Sequence, residues 1–143
     1  MINICFVCIG GTCRSPMAER LTKMELKKRG IKNIKVSSCG LMANGDNISQ
    51  NAKIVLKKLG ASGANRKSVA LKKIDAKTLY VTMTERQKSY IKGGKVISLT
   101  QLIGHDIPDP YGGDENEYYR TALEIQEGIK VLLEKILNVG VKQ

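Results

Sequence analysis

The chain has 143 residues, a formal net charge of +11 and 42% apolar residues spread along its whole length. That is about one ordinary domain, residues 1–143, with enough apolar side chains for a single core. No apolar run approaches a membrane span, and Met1 to Val7 lacks the basic flank and cleavage site of a secretory signal, so a cytoplasmic chain without membrane contact is expected.

Ile2 to Val7 is a short, uncharged, β-favouring run, as a buried central strand requires. A Gly-rich turn leads to a helical pattern over Ser15 to Arg29, with Ser15 as N-cap, Pro16 at the first helical position, Glu19 near the positive end and Gly30 as the stop. Ile34 to Ser38 reads as a second strand, and a helix over Ser49 to Leu59 is closed by Gly60. After a loose segment containing Arg66 to Leu71 come a strand (Thr78 to Met83), a helix (Glu85 to Ile91) and a strand (Val96 to Leu99). A polar, Pro-containing loop then precedes a last helix over Glu115 to Leu137. Its Ala122, Ile125, Ile129, Leu132, Leu133 and Ile136 follow the 3.6-residue period of a core-facing stripe. Strands alternating with helices predict an α/β fold, a doubly wound four-stranded parallel sheet flanked by helices in one domain. Ligands in such sheets sit at the carboxyl ends of the strands, on the rim that carries the loops after the first and fourth strands.

The excess lysines fall in scattered pairs (Lys27-Lys28, Lys57-Lys58, Lys72-Lys73), and one Phe with no Trp offers no stacking platform for bases. Nucleic acid is not an expected partner; attraction of acidic or phosphorylated substrates accounts for the charge. Cys5, Cys8 and Cys13 crowd into nine residues near the start, unlike a disulfide framework, and the single histidine, His105, offers little for a metal site. Reactive thiol chemistry without metal or cofactor fits this pattern, and His105 is expected to be a solvent-facing loop residue.

Two loops carry chemistry. The first reads Cys8-Ile9-Gly10-Gly11-Thr12-Cys13-Arg14-Ser15, between a strand and a helix. Successive backbone N–H groups in a Gly-rich turn at a helix start form a concave site for a phosphate or sulfate anion, and Arg14 adds a planar fork for two of its oxygens. The same positive field favours the thiolate of Cys8, which would lie beneath a cradled tetrahedral anion, placed for in-line attack at phosphorus. Ser15 is placed to donate to the sulfur. The second loop reads Asp106-Ile107-Pro108-Asp109-Pro110-Tyr111-Gly112-Gly113; its prolines stiffen it, so that a carboxylic acid can be held over the phosphate. Asp109 is the candidate acid, with Asp106 as the alternative.

Together these segments resemble the low-molecular-weight protein tyrosine phosphatases, whose signature is Cys-x5-Arg-Ser after the first strand and an Asp-Pro-aromatic loop near the C-terminus. Here Cys8 to Glu19 supplies the first and Asp109 to Gly113 the second, while Ser38-Cys39-Gly40 and Val81-Thr82-Met83-Thr84 are similar to internal landmarks of the family. The resemblance spans essentially the whole chain. It implies a metal-independent phosphatase acting through a cysteinyl-phosphate, with Cys8 as nucleophile, Arg14 as phosphate ligand, Asp109 as acid and base, and Ser15 supporting the thiolate. It further implies that Ile9, Gly10, Gly11, Thr12, Cys13 and Tyr111 line the substrate site, that Cys13 can pair reversibly with the nucleophile, and that the chain is a monomer or weak dimer. Thr12 and Tyr111-Gly112-Gly113 are similar to the bacterial protein-arginine phosphatase branch, which favours phosphoarginine over phosphotyrosine in a protein substrate. Met42, just after the second strand, is expected to pack ordinarily, with a place at the pocket mouth opposite Tyr111 as the alternative.

Two positions depart from the family. Gly11 stands where the family has an Asn in a left-handed conformation, and Arg66 stands near the place of a histidine of the same polar network. Both changes together read as a replaced network. A related arsenate reductase would need resolving thiols downstream, and no cysteine follows Cys39. A binding module that has lost catalysis would have no need of Cys8 and Asp109.

Overall fold

The computed structural model describes residues 1–61 and 66–142. Four parallel strands, β1 (Ile2–Cys8), β2 (Ile34–Gly40), β3 (Thr78–Thr82) and β4 (Lys95–Ser98), form one sheet in the order β2-β1-β3-β4. The helices are α1 (Arg14–Lys28), α2 (Gln50–Lys58), α3 (Glu85–Lys88), α4 (Leu99–Ile103) and α5 (Glu115–Lys142). The chain passes from β1 outward to β2, then crosses back to β3 on the other side of β1. The direction of winding therefore reverses beside the end of β1, where an open α/β sheet leaves a crevice for ligand.

The larger core lies on one face, where Ile4 and Phe6 of β1 meet Met17 and Leu21 of α1, Leu56 of α2, and Ile125, Ile129, Leu132 and Leu133 of α5. The expected apolar stripe of α5 is thus the buried one. A smaller cluster (Cys5, Val7, Cys39, Tyr80 and Ile91) occupies the opposite face. Burial on both faces explains why β1 carries no charge. Edge strand β2 instead alternates, with Ile34 and Val36 in and Lys35 out.

Four expectations need correction. Helix α1 starts at Arg14, so Ser15 lies inside the first turn; Cys13 takes the cap position without a side-chain cap, and Glu19 lies in the second turn. The orphan N–H groups at this end are thereby left for a ligand. Helix α3 ends at Lys88, short of Ile91. The loop after β4 contains α4, closed by a Ser98/Gln101 capping box and ended by Gly104 at φ 89°. Helix α5 also continues beyond Leu137 to Lys142. Among the described residues no helix is long and apolar enough to cross a membrane.

Phe6 is fully buried at the centre of the central strand. Phe6→Ala is expected to lower the unfolding free energy by about 3–5 kcal/mol in chemical denaturation; a loss under about 1 kcal/mol would contradict this core assignment.

Candidate active site

The loop after β1 is built against the end of β2. Leu41 N–H donates to the Cys8 carbonyl and Met42 N–H to the Ile9 carbonyl, each at 2.8 Å, which prolongs the β1–β2 pairing past the last strand residue. Gly40 is also held from its other side, donating to Val69 O at 2.8 Å and accepting from Leu71 N at 2.9 Å. A Cβ on Gly40 would meet Gly11 N at 2.6 Å and Gly10 C at 2.7 Å, so only glycine lets the two backbones approach this closely. Gly11 turns the loop at φ 70°, the left-handed geometry expected of it.

Cys8 Sγ lies at the floor of this turn, 3% exposed. Gly11 N–H donates to it at 3.3 Å, and Ser15 Oγ lies 3.0 Å away. Ser15 Oγ also reaches the Cys39 carbonyl at 3.2 Å. The Ser15 hydroxyl thus donates to the Cys39 carbonyl, and a Cys8 thiolate would compete with that carbonyl for its one proton. Arg14 is buried; its Nη1 donates to the Ile107 carbonyl at 2.9 Å and its Nη2 lies 3.8 Å from Asp109 Oδ2. Ile107 is itself fully buried, and its N–H donates to Met83 O at 2.9 Å. The Asp109 loop is thus anchored two residues before its carboxylate, while Tyr111 N–H donates to Asp109 Oδ1 at 3.0 Å.

Cys8, Ile9, Gly10, Gly11, Thr12, Cys13, Arg14, Asp109 and Tyr111 line one cleft of about 300 Å³, with Met42 at its mouth, and Ser15 supports the sulfur from below. All of the expected site residues therefore meet. Asp106 is not among the lining residues. Its Oδ1 accepts from Glu85 N–H at 3.0 Å and from the Thr100 hydroxyl, and the Thr100 bond leads in holding its carboxyl below the usual range. Asp106 fastens the loop to α3 and α4, and Asp109 alone of the two faces the anion site. His105 is exposed, as expected.

Cys13 Sγ lies 3.3 Å from Tyr118 Oη, which also accepts from Ser49 Oγ at 2.9 Å; burial first, and then the bond with Cys13, push the Tyr118 phenol up to about 12. All four cysteines are free thiols.

Behind the loop, Glu19 is 3% exposed and its carboxylate meets Lys23 Nζ at 2.7 Å, Ser38 Oγ at 2.6 Å and Arg66 Nη2 at 2.6 Å. Arg66 also bonds the Ser38 carbonyl at 3.1 Å and its hydroxyl. The departure at Arg66 is thus an arginine that cross-links the second turn of α1 to β2. Burial alone would raise the Glu19 carboxyl, but the bonds from Lys23, Ser38 and Arg66 outweigh it and hold the group below its ordinary 4.5.

Reading the sequence missed the Ile107 carbonyl, the close approach at Gly40, and Asp46, a second carboxylate lining the cleft. Only the Asn44-Gly45 turn hinted at a loop there. Cys5 and Cys8 also stand at Cys-x-x-Cys spacing, but the pleat of β1 sends them to opposite sheet faces.

A thiol beneath a Gly-rich turn at the start of a helix, on a sheet of this topology, defines a cysteine-dependent phosphatase. The chain belongs to the low molecular weight phosphotyrosine protein phosphatase family, whose model matches residues 3–141. It is 36% identical over 145 residues to a protein-arginine-phosphatase of Geobacillus stearothermophilus, covering 94% of this chain and 95% of that protein. It is 30% identical over 132 residues to the low molecular weight protein-tyrosine-phosphatase Ptp of Acinetobacter johnsonii, covering 87% and 90%. A solved YwlE arginine phosphatase, a Cys-to-Ser mutant with a phosphorylated active-site serine, superposes with a TM-score of 0.84 at 30% identity, covering 94% of this chain and 95% of that one.

Gly40→Ala is expected to leave the secondary structure intact and to weaken inorganic phosphate binding at least about tenfold, or ~1.4 kcal/mol; calorimetry showing unchanged affinity would refute the backbone constraint. For Glu19 the depressed carboxyl stabilises the fold above its ordinary 4.5, and that contribution is lost as pH falls through the lower folded value. Glu19→Gln is therefore expected to lose roughly 1.5–3 kcal/mol near neutral pH. The gap to wild type should narrow on acidification, and a pH-independent gap in urea titrations would contradict the sign.

Proposed function

We propose that the chain is a protein phosphatase acting through a cysteinyl-phosphate, with phosphoarginine in proteins as substrate. The observation that carries the reaction is the position of Cys8 Sγ, held at the floor of the cleft between Gly11 N–H and Ser15 Oγ, with Arg14 and Asp109 paired beside it. In this reading the phosphate occupies the loop, ligated by the backbone N–H groups and the Arg14 guanidinium. The Cys8 thiolate attacks phosphorus in line, the P–N bond of phosphoarginine breaks, and Asp109 protonates the departing guanidine nitrogen. Asp109 then takes a proton from water, which attacks phosphorus and expels the sulfur. Ser15 and Gly11 N–H stabilise the thiolate as it leaves. The phosphorylated active-site serine of the mutant relative supports a covalent step at this position.

Phosphoarginine is supported by Thr12, whose hydroxyl lies in the cleft lining, 3.6 Å from Cys13 Sγ. A small polar side chain there leaves room for a planar guanidinium, and the Asp109 and Asp46 carboxylates line the same cleft. The 36% identity to a protein-arginine-phosphatase points the same way. Phosphotyrosine is the second reading, favoured by Tyr111 and Met42, exposed at 78% and 72% and able to hold an aryl ring at the mouth. The four free thiols suit a reducing compartment, and we place the enzyme in the cytoplasm.

Phosphate release from matched phosphoarginine and phosphotyrosine peptides tests this. Wild type is expected to turn over phosphoarginine selectively, Cys8→Ser to turn over neither, and Thr12→Ile to shift the kcat/KM ratio toward phosphotyrosine at least about tenfold, or ~1.4 kcal/mol. Wild-type preference for phosphotyrosine would remove the substrate assignment, and turnover by Cys8→Ser would remove the mechanism.

A further inference from the structure

Two thiols that the proposed reaction does not use meet on the sheet face opposite α1. Cys5 of β1 and Cys39 of β2 hold their Sγ atoms 3.3 Å apart. They are 7% and 6% exposed, and both line a cleft of about 660 Å³ together with Arg66, Lys72 and Tyr80.

Strand register fixes this pair. Cys5 lies opposite Ser37 and Cys39 opposite Val7, so the two cysteines are diagonal neighbours on adjacent strands. With strands about 4.8 Å apart and an offset of two residues rising about 3.3 Å each, such neighbours stand roughly 8 Å apart at the backbone, outside the ordinary reach of a disulfide. Bonding sulfur to sulfur would require the strands to move; placing one atom between the sulfurs does not. With bonds to sulfur of about 2.3 Å, a 3.3 Å gap sets the angle at the bridging atom near 90°. Tetrahedral zinc would need the sulfurs roughly 3.8 Å apart, and a linear two-coordinate ion roughly 4.6 Å. Among the described residues no third metal-ligating side chain joins the pair. Of these, a three-coordinate pyramidal centre fits the spacing with the least movement of the two side chains.

We propose that Cys5 and Cys39 form a dithiol site that captures a trivalent arsenical or a similarly pyramidal thiophile. With an organoarsenic oxide, two S–H bonds break and two S–As bonds form; the oxide oxygen leaves as water with both thiol protons, and no oxidation state changes. The hydrogen bond from Cys39 draws the Cys5 thiol below its ordinary value against the effect of burial, while that bond and burial push Cys39 up.

The experiment uses the full chain carrying Cys8→Ser and Cys13→Ser, which leaves only this pair of thiols, with phenylarsine oxide as probe. Intact mass spectrometry is expected to show one arsenical per chain, retained in excess glutathione and stripped by dithiothreitol. Adding Cys5→Ala or Cys39→Ala should abolish retention, with circular dichroism reporting that each variant is folded; the Cys5 variant keeps the test decisive if loss of Cys39 disrupts β2. Zinc is expected to be lost on gel filtration. Absence of an adduct on the folded double variant, an adduct indifferent to Cys5→Ala, or zinc retained as firmly as the arsenical would each overturn the proposal.

Discussion

The site depends on the contact between two stretches of bare backbone, Gly40 against Gly10 and Gly11. No side chain fits between them, since a Cβ on Gly40 would lie 2.6 Å from Gly11 N. Because Leu41 and Met42 continue the pairing with Cys8 and Ile9, the end of β2 serves as the mould on which the loop is formed. The position of Cys8 Sγ, the left-handed turn at Gly11 and the reach of Ser15 to the Cys39 carbonyl all follow from that contact. Interiors packed this closely transmit strain and do not absorb it. One added methyl group at residue 40 therefore acts on the catalytic turn, although its side chain would not line the cleft.

Buried charge holds this mould in place on both sides. Arg14 joins the anion loop to the Asp109 loop through the Ile107 carbonyl, a bond to backbone that aims the guanidinium beside the exposed Asp109 carboxylate. Arg66, Glu19 and Ser38 tie α1 to β2 from behind. Glu19 is nearly buried, and without its partners the desolvated carboxylate would be costly.

The alternation of strands and helices was legible because each element carries its own pattern: β1 is uncharged, α5 has a 3.6-residue stripe, and Gly30 and Gly60 stop their helices. Cys8, Arg14 and Asp109 were legible because local chemistry marks them, a thiol and a guanidinium across a Gly-rich turn and an acid between prolines. The start of α1 was misread because a serine beside a proline resembles a cap, whereas this helix leaves its first N–H groups uncapped. Helix α4 escaped notice because five residues are too few for periodicity, although Ser98 and Gln101 were its signature. Gly40, Ile107 and the Cys5–Cys39 pair owe their roles to strand register and tertiary approach, and a linear reading carries neither.

The single hydroxyl proton of Ser15 stands between Cys8 Sγ at 3.0 Å and the Cys39 carbonyl at 3.2 Å. A negatively charged sulfur outcompetes a neutral carbonyl for that proton, and a sulfur bonded to phosphorus does not. Under the proposed mechanism the hydroxyl rotates toward β2 while the sulfur is esterified and back when the sulfur is released. One bond rotation thus lets the hydroxyl donate in both halves of the cycle. The serine works as a rotor that follows the charge on its neighbour, with the main chain of β2 as its resting stop.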